Sequence, residues 1–136
     1  MRSMPAAFIW RCRPLGDCEL LRFWRATLNT RNGLAFAIRS EQAFREELIA
    51  LGLALPLAWL VGETAMRRVE LIASVVLVLV VELLNTAIEK LADRLTTDHD
   101  PQIGQVKDMG SAAVGVALVM AGAFWIFAIA ERIGAI

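Results

Sequence analysis

Residues 109–130 contain no charged side chain, a run of 22 residues. Crossing the hydrocarbon core of a bilayer takes roughly 20 predominantly apolar residues, so this segment can span alone. Two shorter uncharged stretches precede it, Leu48 to Gly62 and Leu71 to Val81. The first reaches spanning length if it starts near Phe44, and the second if it runs on past Val81. The chain is 57% hydrophobic with a mean hydropathy of +0.56 over 136 residues, which suits one domain of the membrane class. Three transmembrane helices are expected.

The second stretch continues into a segment that is not apolar: Val81-Glu-Leu-Leu-Asn-Thr-Ala-Ile-Glu-Lys-Leu-Ala-Asp93. At about 100° per residue, Glu82, Asn85, Glu89 and Asp93 fall on one narrow helical face. A carboxylate within a membrane segment costs a few kcal/mol even on lenient scales. Such a stripe calls for a cation, a proton or a polyanion held through metal. Glu89-Lys90 and Asp93-Arg94 alone would also suit the solvated end of a helix. Glu82 would not, with a long apolar run before it and Leu83-Leu84 after it. Three helices shield four polar positions poorly, so homo-oligomerisation is expected.

The formal net charge is zero, but its distribution is not even. Eight arginines lie within residues 1–47: Arg2, Arg11, Arg13, Arg22, Arg25, Arg31, Arg39 and Arg45. Grouping them with Lys90, Arg94 and Lys107 puts 11 basic residues on one side, against Arg67, Arg68 and Arg132, 3 in all, on the other. The positive-inside rule then places the N-terminus in the cytoplasm and the C-terminus outside. Cys12 and Cys18 fall on the reducing side, against a disulfide, and lack the neighbours of a metal site. The apolar run Pro5–Trp10 is too short for a signal peptide, and residues 1–19 read as a disordered extension before a membrane domain over 20–136.

Along the chain, Asp17 is expected to cap an amphipathic helix over Cys18–Thr30, with Leu20, Leu21, Phe23, Trp24 and Leu28 on its apolar side, lying at the membrane interface. Asn32-Gly33 reads as a turn. The first membrane helix is predicted from Glu41 to Val61, kinked at Pro56, the second from Ala65 to Arg94, and the third from Gln105 to Arg132. Thr96–Gly104 is predicted as a polar cytoplasmic loop. Gly110, Ala113, Gly115, Ala117 and Gly122 permit close helix approach in the third. Trp24, Trp59 and Trp125 suit interfacial anchoring or packing.

Glu41, Glu47, Glu82, Asn85, Glu89, Asp93, Lys107, Asp108 and Ser111 thus gather near the cytoplasmic boundary. Carboxylates on adjacent helices can hold Mg²⁺, which prefers oxygen ligands and leaves positions for substrate phosphates. A lysine at a helix start can hold a phosphate. A carboxylate deeper in the membrane can act as a general base. These parts suit phosphoryl transfer, where positioning and charge neutralisation do most of the catalysis. No Gly-x-x-x-x-Gly-Lys-Ser/Thr loop is present, which excludes an ordinary P-loop enzyme.

Three pieces, Glu41-Gln-Ala-Phe-Arg-Glu-Glu47, Val81-Glu-Leu-Leu-Asn-Thr-Ala-Ile-Glu-Lys-Leu-Ala-Asp-Arg94 and Lys107-Asp-Met-Gly-Ser-Ala-Ala-Val114, resemble the small bacterial diacylglycerol kinase family from about Leu20 to the C-terminus. The resemblance implies a homotrimer of three-helix subunits with an N-terminal interfacial helix. It also implies phosphorylation of diacylglycerol to phosphatidic acid with MgATP at the bacterial inner membrane, and no nucleic-acid partner. On it, Glu82 would be the general base, Glu41 and Glu89 would hold Mg²⁺ on the ATP phosphates, and Lys107, Asp108 and Arg22 would lie on the nucleotide side. Asp98, His99 and Asp100 match that side by location. Phe44, Glu47, Asn85, Asp93 and Ser111 would support the site or meet lipid, and Arg68 and Trp125 match substrate-side positions. Asn29 stands where the family often carries an aromatic residue, and Asp98-His99-Asp100-Pro101 replaces an acidic-Tyr-His pattern. An undecaprenol kinase shares these motifs. From other classes, a proton-coupled transporter would use Glu82 as its relay, and a non-catalytic scaffold would bind no nucleotide.

Overall fold

A computed structural model describes residues 15–95 and 100–135, with side chains from residue 21 onward. Residues 1–14 of the expected extension, with Cys12, and the loop residues Asp98 and His99 lie outside the described residues, whereas residues 15–19, expected as part of that extension, are helical. The described residues form helices only: α1 (Leu15–Ser40), α2 (Gln42–Val61), α3 (Ala65–Leu95) and α4 (Pro101–Arg132). By contacts the chain divides into residues 1–36 and 37–136.

The first unit contains most of α1. The helix begins at Leu15, so Asp17 lies in its first turn and does not cap it. Nor does Asn32-Gly33 make a turn: helix continues through both, and Gly134 is the one described glycine with a positive φ. Asn-Gly turns a chain between strands. Between helix-forming flanks, glycine is tolerated at a cost of about 1 kcal/mol. Thr27 and Thr30 donate their hydroxyls to the carbonyls of Phe23 and Ala26, both at 3.0 Å, and so add no competing local structure. Leu21, Phe23 and Trp24 are exposed.

In the second unit, the last residues of α1 meet α2 at Glu41, the single extended residue between them (φ −112°, ψ 121°). Arg45 closes this corner by donating to the carbonyls of Ile38 and Arg39, each at 3.3 Å, where α1 leaves acceptors unpaired. α2 runs through Pro56, whose missing N–H removes the bond to the Gly52 carbonyl. It ends at Gly62, whose N–H bonds to the Ala58 carbonyl at 2.9 Å. Thr64 then starts α3 by accepting the Arg67 N–H at 3.1 Å.

The last helix starts earlier than expected. Asp100 Oδ1 accepts the N–H groups of Gln102 (2.8 Å) and Ile103 (3.4 Å), and Pro101 occupies the first helical position. Proline there loses only an N–H that would be unpaired anyway. Residues 101–104, predicted as loop, therefore belong to α4.

α3 packs along both α2 and α4, which scarcely meet each other. Three small clusters make the core. Ala37, Phe44 and Leu79 join α1's end, α2 and α3; Val78, Ala117 and Ala121 join α3 and α4; and Ala58, Leu71 and Ala128 join α2, α3 and α4, with Trp125 against them. Small side chains at these contacts bring the backbones close. Of the small residues singled out in α4, Gly110 and Ala117 are buried, whereas Ala113 and Gly115 are exposed. α3 and α4 are long and apolar enough to cross a membrane. α2 reaches 20 residues only by including Arg45, Glu46 and Glu47.

Candidate active site on the polar face of α3

The helical period of α3 turns Glu82, Asn85, Thr86 and Glu89 toward its neighbours. Glu82, Asn85 and Thr86 are 8%, 7% and 8% exposed, and Glu89 is half-buried. Asn85 Nδ2 donates to Glu89 Oε1 at 3.2 Å, one turn along the helix. Asn85 Oδ1 and Glu47 Oε2 are buried without a hydrogen-bond partner among the described residues. No described hydrogen bond or ion pair reaches the Glu82 carboxylate. Its neighbours are acidic: Glu41 and Glu89 both lie within electrostatic range of it, and it lies within that of Glu47.

Basic groups border this acidic patch. The Lys90 ammonium is 2.7 Å from Glu41 Oε1, which joins the α1–α2 corner to α3. This partner, with Ser40 second, holds the Glu41 carboxyl below its ordinary value of 4.5. Lys107 Nζ donates to Asp93 Oδ1 at 3.0 Å and joins α4 to the end of α3; because α4 begins at Pro101, Lys107 lies in its second turn and not at the helix start as expected.

The structure therefore brings Glu41, Glu47, Glu82, Asn85 and Glu89 to one end of the helices, with Phe44 buried beneath and Asp93–Lys107 alongside. Asp108 and Ser111 are exposed on α4 nearby in sequence. Arg22 is exposed in the first unit, and Asp100 serves as the α4 cap. Arg68 and Trp125 are not part of this cluster. Arg68 precedes Glu82 by about 21 Å of helix at 1.5 Å per residue. Its Nε donates to the Gly62 carbonyl at 2.9 Å, and its guanidinium lies 4.2 Å from the Trp59 ring centroid.

Three residues join the site that sequence reasoning did not place there. Thr86 carried a signal, being one turn beyond Glu82 on the same face. Lys90 as the partner of Glu41, and Gly110 opposite Asn85, carried none, because both contacts are made between helices.

The donor chemistry suits a hard divalent cation. Glu41 and Glu89 offer carboxylate oxygens in an acid-rich corner, and buried acceptors there lack donors. Among the described residues, no three His, Cys, Asp or Glu side chains form a ready metal cage. Mg²⁺ fits such a set, since it is usually held by one or two carboxylates with substrate phosphates and water completing the octahedron.

Comparison with known proteins bears on this arrangement. The sequence profile of the prokaryotic diacylglycerol kinases matches residues 29–129, which include every residue of the cluster but not Arg22. A diacylglycerol kinase of Escherichia coli K12 is 45% identical over 93 residues, 68% of this chain and 76% of that protein. One from Haemophilus influenzae is 39% identical over 100 residues, 74% of this chain and 85% of the relative. One from Pseudomonas aeruginosa is 38% identical over 110 residues, 81% and 89% of the two chains. With its acidic α3 face and the Lys107-Asp108 pair of α4 inside the matched region, the chain belongs to the prokaryotic diacylglycerol kinase family.

Proposed function

We propose that the chain transfers the γ-phosphoryl group of ATP to the free hydroxyl of diacylglycerol, giving phosphatidic acid and ADP at the bacterial inner membrane. The observation that carries this reading is the buried Glu82 carboxylate on an apolar helix, with no hydrogen-bond or ion-pair partner among the described residues, beside a charged cluster, in a chain of this family. The lipid hydroxyl reaches Glu82 laterally from the bilayer. As its oxygen bonds to the γ-phosphorus, the bond from phosphorus to the β-phosphate oxygen breaks and ADP leaves. The hydroxyl proton passes to Glu82. Glu41 and Glu89 would hold Mg²⁺, which when bound neutralises charge on the phosphates. Lys107 would add a second positive charge, and Asp108 would help orient the nucleotide. Asn85 orients Glu89 through its amide.

In this arrangement Lys90 is paired with Glu41, so metal and ammonium compete for the same carboxylate. Lys90 is 44% exposed, so its long side chain could turn into solvent and leave Glu41 free to hold a metal.

α2 is taken as the third span, with its charged first turns at the cytoplasmic boundary, α1 lying along the interface and the C-terminus outside. The excess of 11 basic residues over 3 supports that orientation. A homotrimer would cover part of the large apolar side chains left exposed on α4, among them Val116, Val119 and Ile126.

Purified protein given MgATP with either diacylglycerol or a polyprenol tests the reading. Phosphatidic acid is the expected product, and exclusive phosphorylation of the polyprenol would overturn the substrate assignment. Glu82→Gln is expected to lower kcat by about 10²–10⁴-fold, the usual contribution of a general base. Full turnover in that variant would remove Glu82 from the chemistry.

A further inference from the structure

Gly110 of α4 is buried against Asn85 on the polar face of α3. A Cβ built there would run into Asn85 Oδ1, yet it would stand 3.4 Å from Asn85 Cγ and 3.9 Å from Asn85 Cα. The last two are ordinary van der Waals separations. The conflict is therefore with one side-chain oxygen, and α3's backbone has no need to move. Gly104, Gly115 and Gly122, on the same helix, have nothing within 4 Å of the corresponding position. Close helix packing in general thus does not explain Gly110.

What lies opposite it is a buried amide with two different ends. Nδ2 donates to Glu89 Oε1 at 3.2 Å, and Oδ1 points to the Gly110 side without a described partner. The two atoms belong to one planar group. A methyl that pushes Oδ1 aside rotates Nδ2 off Glu89 in the same movement. Asn85 is only 7% exposed, so a displaced amide has little room to find another orientation.

We propose that Gly110 is a positioning residue for the lipid kinase reaction: its missing side chain leaves the space in which the Asn85 amide holds the Glu89 carboxylate toward the nucleotide. The inference rests on the proposed kinase reading and adds to it a residue that touches neither substrate nor metal. Residues that orient a metal-holding carboxylate typically change metal affinity or activity by about 10–100-fold when altered.

The test uses the full chain in lipid–detergent micelles and compares Gly110→Ala, Asn85→Ala, the double variant, and Gly115→Ala as a control for adding a methyl to α4. Gly110→Ala and Asn85→Ala are each expected to lose about tenfold or more in kcat and to need more Mg²⁺ for half-maximal rate. The double variant is expected to be no worse than Asn85→Ala, since both changes act through one amide. Wild-type turnover in Gly110→Ala, or losses that simply multiply in the double variant, would overturn the proposal. A second readout needs no turnover. The Asn85 side-chain amide signal in the ¹H–¹⁵N NMR spectrum, identified by its loss in Asn85→Ala, is expected to move in Gly110→Ala and stay in place in Gly115→Ala. An unmoved signal would overturn the positioning role even if the rate fell. If the wild-type chain phosphorylates no diacylglycerol, the kinase reading fails, and the amide signal still decides the contact. If Gly110→Ala does not fold, removal of the Asn85 side chain in the double variant is expected to restore folding. Failure to restore it would also count against the contact.

Discussion

Glu41 holds three positions at once: the one extended residue between two helices, the partner of Lys90, and a proposed ligand of the metal. Its carboxyl is held below 4.5, first by the hydrogen bond from Lys90, then by that from Ser40. A depressed folded-state value means that the native chain binds the proton less readily than the unfolded one. The pair's contribution to stability is therefore complete above the ordinary value and is lost as pH falls through the lower folded one. Thermal unfolding of wild type and Glu41→Gln across acidic pH is expected to show a gap near neutrality that closes below 4.5. A gap that stays constant would deny the ion pair any role in stability. The face carrying Glu82, Asn85 and Glu89 was legible from spacing alone, because a helix repeats its neighbours every three to four residues. The partners of that face were not. Lys90 reaches Glu41 and Lys107 reaches Asp93 across helix boundaries, and no local spacing encodes those distances.

Among the elements, α3 was predicted over Ala65–Arg94 and is observed over Ala65–Leu95, since an apolar run followed by a periodic polar face leaves little freedom. The departures lie where short-range signals compete. Asn32-Gly33 reads as a turn because of the pair itself, although its flanks favour helix. At α4 the informative pair was Asp100-Pro101, a cap followed by proline at the first helical position. It is followed at Gly104 by a residue that reads as loop. Asp100→Ala is expected to cost about 1 kcal/mol by leaving two N–H groups without an acceptor, as measured by denaturant unfolding in micelles. Asp100→Asn keeps the acceptor and removes the charge, so it is expected to restore stability. A raised KM for ATP in that second variant would add a nucleotide-side role to the capping one.

At the scale of the whole unit, the two ends of the bundle do different work. The end at Glu82 gathers acids and holds buried acceptors without a partner among the described residues, whereas the opposite end is tied up. There Arg67 pairs with Glu70 at 2.8 Å and Glu131 at 2.7 Å and lies 5.3 Å from the Phe127 ring centroid, while Arg132 pairs with Glu63 at 3.0 Å. These contacts bind the start of α3 to the end of α4. Exposed ion pairs each contribute about 0–1 kcal/mol, and a cation over a ring about as much again. Arg67→Ala is accordingly expected to lower unfolding stability by about 1–2 kcal/mol with kcat within twofold of wild type. A large loss of turnover with unchanged stability would contradict this division between the ends.

The same division bears on how freely the sequence can drift. Of the glycines from residue 33 onward, only Gly62 and Gly110 would drive an added methyl into existing atoms, one at each end of α3. They do so for different reasons: at Gly62 the methyl would meet the aliphatic Cγ of Arg68 at 2.7 Å and the Ala58 carbonyl oxygen at 2.8 Å, whereas at Gly110 it would meet the Asn85 amide oxygen. Gly134 resists substitution for a different reason, its φ of 70°. At Gly33, Gly52, Gly104, Gly115 and Gly122 an added methyl would have nothing within 4 Å among the described residues. Among the described residues, then, a glycine is held in place by backbone at the turn before α3, by an amide oxygen at α4, and by its own φ at the C-terminal end.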